Sequence, residues 1–219
     1  MKLIQKLQNI KIKICGIKNT AILDCCNKFN VNYYGLIFYK NSPRNITVKD
    51  AIKLVKNKKI NKSIAVGVFV NHDIYDLIEL IKIIDLKYIQ LHGNENNDYI
   101  SRLKDKFDLK IIKAIGIQNE NDFKQIKSFS QADFLLFDYK SKKNELPGGN
   151  SKSFNWSIIK EKSIAKPWFI SGGINKKNIN EILENLTPYG IDISSGVEDY
   201  PGIKNPKKIK EIVKLINEQ

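Results

Sequence analysis

The segment PWFISGGINKKNINEILENLTPYGIDISSG, residues 167–196, contains two short apolar runs separated by a stretch of helical period. The two runs, Pro167–Ser171 and Gly190–Ser194, have the length and the β-branched content of buried strands. The stretch between them, Lys176–Leu186, predicts a helix. A strand, a helix and a second strand in this order form a βαβ unit, in which the two strands are parallel.

The same alternation continues along the rest of the chain. Eight strand-like runs are counted in all, and the other six are Lys11–Cys15, Tyr33–Phe38, Ser63–Val70, Tyr88–Leu91, Leu109–Ala114 and Asp133–Asp138. Each is followed by a segment that can form a helix, for example Thr47–Lys56, Asp73–Ile84 and Pro206–Asn217. Eight such units can close into a barrel of ordinary size for one domain. The sequence therefore predicts an α/β fold, a single (β/α)8 barrel over residues 1–219.

The composition argues against several other classes of protein. Apolar residues make up 42% and charged residues 27% of the chain, which is ordinary globular usage and excludes disordered and fibrous proteins. The formal charge of +14 comes from lysines scattered over polar positions and not from a basic cluster. Nucleic-acid binding needs clustered cations, so the charge indicates a basic solvated surface that attracts small anionic substrates.

The cysteines and the chain's apolar runs bear on its compartment. Cys15, Cys25 and Cys26 supply neither a spaced metal pair nor an even disulfide framework. The amino-terminal residues 1–15 lack the pattern of a signal peptide, and no apolar run approaches the ~20 residues of a membrane span. No glycine-rich nucleotide loop occurs in the sequence. We expect a cytoplasmic monomer or homodimer without metal or cofactor and without a membrane or nucleic-acid partner.

The ends of strands seven and eight indicate a phosphate site. The active site of a (β/α)8 barrel lies at the carboxyl ends of its strands, and phosphate often binds after the last two. Small residues whose N–H groups can surround an anion stand at these ends. They are Gly173, Ser194, Ser195 and Gly196. The alternative is a tight glycine turn and a serine cap of a helix, but the two features together favour a phosphorylated substrate.

Cys15 and Asp138 end strands one and six, so both side chains can reach the mouth of the barrel as a proton-transfer pair. A free thiol titrates near pH 8.5 and a free aspartate near pH 3.9, so catalysis needs the thiol pKa lowered and the carboxyl pKa raised. The alternative is that Cys15 is a small buried hydrophobe and that Asp138 caps a helix. Spacing alone leaves both interpretations open.

Arg44 lies in the sequence FYKNSPRN, residues 38–45, after the second strand. The chain has only two arginines, Arg44 and Arg102, and uses lysine almost everywhere else. A guanidinium can grip a carboxylate at two points, which an ammonium cannot do. Arg44 is therefore a candidate for binding a planar anionic group, and the alternative is a solvated surface arginine.

Six stretches of the sequence, taken in order, resemble the phosphoribosylanthranilate isomerase family of tryptophan biosynthesis. They are KICGIKN (13–19), GLIFYKNSPRNIT (35–47), VGVFVN (66–71), QLHGNE (90–95), SGGI (171–174) and GIDISSGVEDYPGIKNPKKI (190–209). The resemblance covers nearly the whole chain. It implies an aldose–ketose isomerase that converts N-(5′-phosphoribosyl)anthranilate into 1-(2-carboxyphenylamino)-1-deoxyribulose 5-phosphate by an Amadori rearrangement, without metal or cofactor.

The resemblance also implies a role for each candidate residue. Cys15 matches the general base that takes the C2′ proton, and Asp138 matches the general acid that opens the furanose ring. Arg44 matches the residue that holds the anthranilate carboxylate. Asp192 matches an acidic residue with an auxiliary role in substrate binding. The phosphate site is implied at Gly173, Ser194, Ser195 and Gly196.

One loop departs from the family pattern. Residues 148–156, GGNSKSFNW, have one glycine and one acid fewer than the family usually has there. We expect the loop to fold over the substrate all the same, and we expect His92 to serve structural packing beneath the mouth. Two alternatives for function stay open at this point: another phosphate-binding barrel enzyme of tryptophan or histidine biosynthesis, and a non-catalytic basic nucleic-acid-binding protein.

Overall fold

Eight parallel strands close into a barrel in chain order, so that β1 pairs with both β2 and β8. The structure is a computed structural model that describes residues 10–56, 62–160 and 162–218, so the first nine residues of the predicted domain lie outside the described part. The predicted (β/α)8 barrel is confirmed. The strands are β1 (Lys11–Cys15), β2 (Tyr33–Ile37), β3 (Ile64–Phe69), β4 (Tyr88–Leu91), β5 (Lys110–Ile117), β6 (Phe134–Tyr139), β7 (Trp168–Ile170) and β8 (Gly190–Ile193).

Helices surround the barrel and return the chain from each strand to the next. The described helices are α1 (Thr20–Lys28), α2 (Val48–Lys56), α3 (Ile74–Ile84), α4 (Asn97–Lys104), α5 (Ser157–Lys160), α6 (Ile179–Asn185) and α7 (Pro206–Asn217). A 3-10 helix, Glu120–Ser128, takes the place of an α-helix after β5. None of the helices in the described ranges is both long and apolar enough to cross a membrane.

The helix expected from Lys176 starts later, at Ile179. Side-chain hydrogen bonds hold the preceding residues in a turn: Asn178 Oδ1 accepts from the Asn175 N–H at 2.8 Å, and Asn175 Oδ1 accepts from the Lys177 N–H at 2.9 Å. Asparagine side chains compete with the backbone in this way and favour turns over helix interiors. The stretch with helical spacing of its apolar residues therefore begins before the helix itself does.

Alternate residues of each strand face the barrel interior, and several of those near the amino-terminal ends of the strands are aromatic. Tyr33, Tyr88, Phe134, Phe169 and Tyr189 form one cluster at that end. The Phe169 ring centroid lies 5.3 Å from that of Tyr189 and 5.7 Å from that of Tyr33. The two tyrosine hydroxyls share a hydrogen bond of 2.9 Å. This cluster fills the bottom of the barrel, so the opposite end is the one that can open to a ligand.

A two-stranded antiparallel hairpin that the sequence analysis did not predict follows β8. Its strands are β9 (Glu198–Tyr200) and β10 (Ile203–Lys204). The hairpin turns at Gly202, whose φ of +86° lies in the left-handed region that favours glycine. A side chain at Gly202 would also meet the Pro43 carbonyl oxygen, so the hairpin lies directly against the loop after β2.

The aromatic cluster should carry a large part of the barrel's stability. Phe169→Ala removes a ring that is 1% exposed, and we expect a loss of about 3–5 kcal/mol in the free energy of unfolding, because a buried cavity remains. Urea unfolding measures this loss. Tyr75→Ala, at a residue that is 69% exposed, is the control and should change stability by no more than about 0.5 kcal/mol. Equal effects of the two substitutions would show that the cluster does not support the barrel.

Candidate active site

The carboxyl ends of the strands form a chamber that contains the predicted catalytic side chains. Cys15 of β1, Arg44 of the loop after β2 and Asp138 of β6 all line it, together with Asp192 of β8 and Ser194 just after β8. Strand ends from distant parts of the sequence meet here because the barrel closes β8 onto β1. The structure thus brings the candidate acid, the candidate base and the candidate carboxylate clamp into one space.

The Cys15 thiol is buried at the end of β1, beside Gly35 of β2. A Cβ atom at Gly35 would lie only 2.6 Å from Cys15 Sγ, so a glycine is required for the thiol to occupy this position. Burial raises the pKa of the thiol, and the Lys13 ammonium opposes that shift. This net direction is opposite to the lowered thiol pKa that the sequence analysis required of a general base.

Lys13 and Asp192 form a buried ion pair inside the barrel. Lys13 lies two residues before Cys15, at the preceding inward-facing position of β1. Lys13 Nζ lies 3.0 Å from Asp192 Oδ2, and the two side chains are 0% and 5% exposed. Burial alone would lower the pKa of the Lys13 ammonium, but Asp192 and Cys15 hold it above its usual value, so Lys13 stays charged. Asp192 Oδ1 is buried and has no hydrogen-bond partner among the described residues, and Asp192 borders the chamber. A ligand hydroxyl is a suitable donor to that oxygen.

Asp138 contacts His92 at the end of β4. His92 Nε2 lies 3.3 Å from Asp138 Oδ2, and the Gln90 amide donates to His92 Nδ1 at 2.7 Å. Because the Gln90 NH2 group can only donate, Nδ1 accepts, and the proton of a neutral His92 ring is on Nε2, the nitrogen beside Asp138. The expectation that His92 only packs beneath the mouth is therefore wrong, since it lines the chamber and contacts the candidate acid. No helix begins at Asp138, which lies within β6 and whose Oδ1 accepts from the Tyr139 N–H at 2.7 Å.

Arg44 is a buried residue, so the alternative of a solvated surface arginine is wrong. Its Nε and Nη2 donate to Glu198 Oε1 and Oε2 at 2.9 and 2.7 Å. Lys204 Nζ donates to Glu198 Oε1 from the other side at 2.6 Å. Both Glu198 and Lys204 lie on the β9–β10 hairpin, and the sequence analysis assigned a role to neither.

The loops after β7 and β8 meet at their glycines. Gly173 has a φ of +65°, and a Cβ atom at Gly196 would collide with the Ile174 carbonyl oxygen. Ser195–Val197 forms a single 3-10 turn, closed by the Val197 N–H donating to the Ser194 carbonyl. That bond leaves the N–H groups of Ser195 and Gly196 outside the turn's own hydrogen bonding. Ser194 does not cap the turn with its side chain, because its Oγ donates to the Cys15 carbonyl at 3.1 Å.

The loop after β6 covers the chamber. A Cβ atom at Gly148 would lie 3.1 Å from both Asp138 Oδ2 and His92 Nε2, and one at Gly149 would meet Arg44 Nη1. The space between the loop and Cys15 is about 50 Å³, and that beside Gly173 and Ser195 is about 20 Å³. The loop therefore lies directly over the candidate acid and the candidate carboxylate clamp.

The sequence analysis missed Lys13, Gln90, Glu198 and Lys204, and the first two of these left a signal in the sequence. Lys13 lies two residues before Cys15 in a short strand, so both side chains face the same way and a lysine in the barrel interior could have been inferred. Gln90 and His92 share a face by the same rule. Glu198 gives no such signal, because its partner Arg44 is 154 positions away. Within the described ranges, no group of three His, Cys, Asp or Glu side chains is placed to hold a metal ion.

Comparison with known proteins agrees with this geometry. The family model of N-(5′-phosphoribosyl)anthranilate (PRA) isomerase matches residues 12–215. The N-(5′-phosphoribosyl)anthranilate isomerase of Rhizobium rhizogenes is 37% identical over 212 residues, which cover 96% of this chain and 95% of the relative.

Two solved structures have the same fold. Phosphoribosyl anthranilate isomerase from Thermotoga maritima superposes with a TM-score of 0.85 at 28% identity, over 96% of this chain and all of the other. A phosphoribosyl anthranilate isomerase in complex with reduced 1-(o-carboxyphenylamino)-1-deoxyribulose 5-phosphate superposes with a TM-score of 0.81 at 27% identity, over the same shares of the two chains. With the match of the family model over residues 12–215, these likenesses show that the chain belongs to the N-(5′-phosphoribosyl)anthranilate isomerase family.

Proposed function

We propose that this chain isomerises N-(5′-phosphoribosyl)anthranilate to 1-(2-carboxyphenylamino)-1-deoxyribulose 5-phosphate in tryptophan biosynthesis, with Asp138 as general acid and Cys15 as general base. The observation that carries the proposal is that both side chains line one chamber, which the phosphate-type loops after β7 and β8 border. An isomerisation of this kind needs one group that gives a proton and another that takes one.

The reaction follows from the two groups in order. Asp138 donates a proton to the ring oxygen of the ribose, the bond between C1′ and that oxygen breaks, and a Schiff base forms between C1′ and the anthranilate nitrogen. The Cys15 thiolate then removes the proton from C2′, which gives an enolamine. The enol hydroxyl loses its proton and C1′ gains one, which gives the ketone. No atom is gained or lost over the whole sequence.

The surrounding groups orient the substrate for these steps. The phosphate binds between the loops after β7 and β8, at the N–H groups of Gly173, Ser195 and Gly196. The anthranilate carboxylate binds to Arg44, and Asp192 Oδ1 accepts a hydrogen bond from a ribose hydroxyl. Lys13 supports the base, because its ammonium favours the thiolate against the effect of burial.

Substrate entry requires the loop after β6 to move. Pockets for ligands of this size usually measure about 300–1,000 Å³. The spaces of about 50 and 20 Å³ beneath the loop are much smaller. The loop therefore opens to admit the substrate and closes over it, which excludes water from the Schiff base.

The same proposal covers the setting of the reaction. Cys15, Cys25 and Cys26 are free thiols in the structure, which fits a reducing compartment, and we place the enzyme in the cytoplasm. It acts there as a monomer or a homodimer on a small phosphorylated molecule.

Fluorescence decay of freshly made N-(5′-phosphoribosyl)anthranilate, on addition of the purified protein, tests the proposed function. The wild-type chain should speed the decay. Cys15→Ser should lower kcat by about 10²–10⁴-fold, because a serine hydroxyl is too weak an acid to ionise and act as the base. Binding of the reduced product analogue should stay nearly unchanged. Cys25→Ser, at a thiol outside the chamber, is the control and should keep full activity. Near-normal kcat in Cys15→Ser would remove the thiol from the mechanism.

The ionisation of Cys15 should show the effect of its burial. Because burial raises the thiol pKa above its ordinary value, the thiolate fraction should fall as the pH is lowered through a midpoint above that value. Lys13→Met should move the midpoint higher still, because the ammonium that lowers it is lost. The rate of alkylation by iodoacetamide, measured on the Cys15 peptide by mass spectrometry, follows the thiolate. A midpoint near the ordinary value of about 8.5 in the unliganded enzyme would contradict this account of the site.

The phosphate site should fail when a negative charge is placed in it. Ser195→Asp puts a carboxylate between the loops after β7 and β8, so inorganic phosphate should no longer bind and the substrate KM should rise by at least about tenfold, equivalent to about 1.4 kcal/mol. Isothermal titration with inorganic phosphate measures the binding directly. Ser157→Asp adds the same charge at an exposed position at the start of α5 and should leave phosphate affinity unchanged. Unchanged affinity in Ser195→Asp would place the phosphate elsewhere.

A further inference from the structure

Arg44 is held by one edge of its guanidinium. Nε and Nη2 donate to the two oxygens of Glu198 at 2.9 and 2.7 Å, which is a side-on pair. Both side chains are 4% exposed, so water does not compete for these bonds. A buried two-point pair of this kind fixes the plane of the guanidinium as well as its position.

The other edge of the guanidinium faces the chamber. Arg44 Nη1 makes no hydrogen bond to any described residue, and a Cβ atom at Gly149, which also lines the chamber, would collide with it. A guanidinium has five N–H donors, and the side-on pair with Glu198 uses only two of them. One N–H of Nη1 and the second N–H of Nη2 therefore form a free fork, with the geometry that grips a carboxylate at two points.

The charges around Arg44 leave this fork cationic. Glu198 by itself would neutralise Arg44, but Lys204 Nζ also donates to Glu198 Oε1, and to the Ser194 carbonyl at 3.0 Å. Burial alone would raise the pKa of the Glu198 carboxyl, but Arg44 and Lys204 hold it below its usual value, so the carboxylate stays charged. Burial lowers the pKa of the Lys204 ammonium, and Glu198 opposes that shift. With both cations charged, the cluster of two cations and one anion has one net positive charge for a ligand.

We propose that Glu198 is a positioning residue, which orients Arg44 so that its free fork meets the aromatic carboxylate of the substrate. This inference rests on the proposed function, because it takes the substrate to carry that carboxylate. Glu198 itself does not touch the substrate. A merely structural Glu198, which ties the β9–β10 hairpin to the loop after β2, would contribute equally to the binding of ligands with and without the carboxylate.

Two ligands separate these roles. One is reduced 1-(o-carboxyphenylamino)-1-deoxyribulose 5-phosphate, and the other is the same molecule without the ring carboxyl group. The wild-type enzyme should prefer the first. Glu198→Gln should weaken the first by about tenfold or more, as expected for losing a well-oriented charged hydrogen-bonded contact, and should change the second by less than about twofold. Equal weakening of both ligands would overturn the proposal.

A second variant guards against misfolding, because Glu198→Gln leaves two buried cations without their anion. Glu198→Gln combined with Lys204→Met restores the net charge of the wild-type cluster while the orientation of Arg44 is still lost. We expect the double variant to discriminate between the two ligands as poorly as Glu198→Gln does. Recovery of the wild-type preference in the double variant would show that Glu198 only balances charge, which also overturns the proposal.

Two further variants complete the experiment. In an Arg44→Lys background, Glu198→Gln should have little additional effect on the carboxylated ligand, because both changes remove the same grip. Glu211→Gln breaks an exposed pair with Lys176 and should leave both affinities unchanged. A wild-type chain that binds neither ligand would contradict the proposed function. If the wild-type chain and the Glu198→Gln variant prefer the carboxylated ligand to the same extent, this inference alone is contradicted.

Discussion

The ion pair between Lys13 and Asp192 joins the first and last strands inside the barrel, where the two residues are partners in the β1–β8 register. Loss of either partner would leave an unpaired buried charge, which typically costs about 3–5 kcal/mol. Cys15 lies two residues beyond Lys13, and Ser194 two residues beyond Asp192, so both face the same chamber. The pair therefore holds together the two strands that carry Cys15 and lead into the proposed phosphate site.

Buried charge is concentrated at the carboxyl end of the barrel, and the aromatic cluster fills the other end. Lys113 and Glu95 form another buried pair there, and Glu95 also accepts hydrogen bonds from the N–H groups of Asn71 and Gly93. These bonds tie together the loops after β3 and β4, beside His92. The apolar packing that stabilises the barrel thus lies at one end. The polar site that removes its ligand from water lies at the other end, as is usual for this fold.

Much of this arrangement could be predicted from the sequence, because the spacing of apolar residues in a strand or a helix involves only residues close together in the chain. All eight strands lie where the apolar runs indicate, and Cys15 and Asp138 reach the chamber because they lie at or next to the carboxyl ends of two strands. Contacts between distant residues could not be predicted in this way. The pairing of Arg44 with Glu198 depends on a hairpin that packs against the loop after β2, and the position of the thiol depends on Gly35, which has no side chain to mark its role.

The measurement that tests the account most directly is a crystal structure of the enzyme with the reduced product analogue bound. The account predicts the ring carboxylate on the free edge of Arg44 and the phosphate between the loops after β7 and β8. It also predicts that Cys15 Sγ and an oxygen of Asp138 approach the C1′–C4′ part of the chain to about 3–3.5 Å. An analogue bound in the reverse direction, or in the chamber with neither Cys15 nor Asp138 beside its sugar carbons, would contradict it.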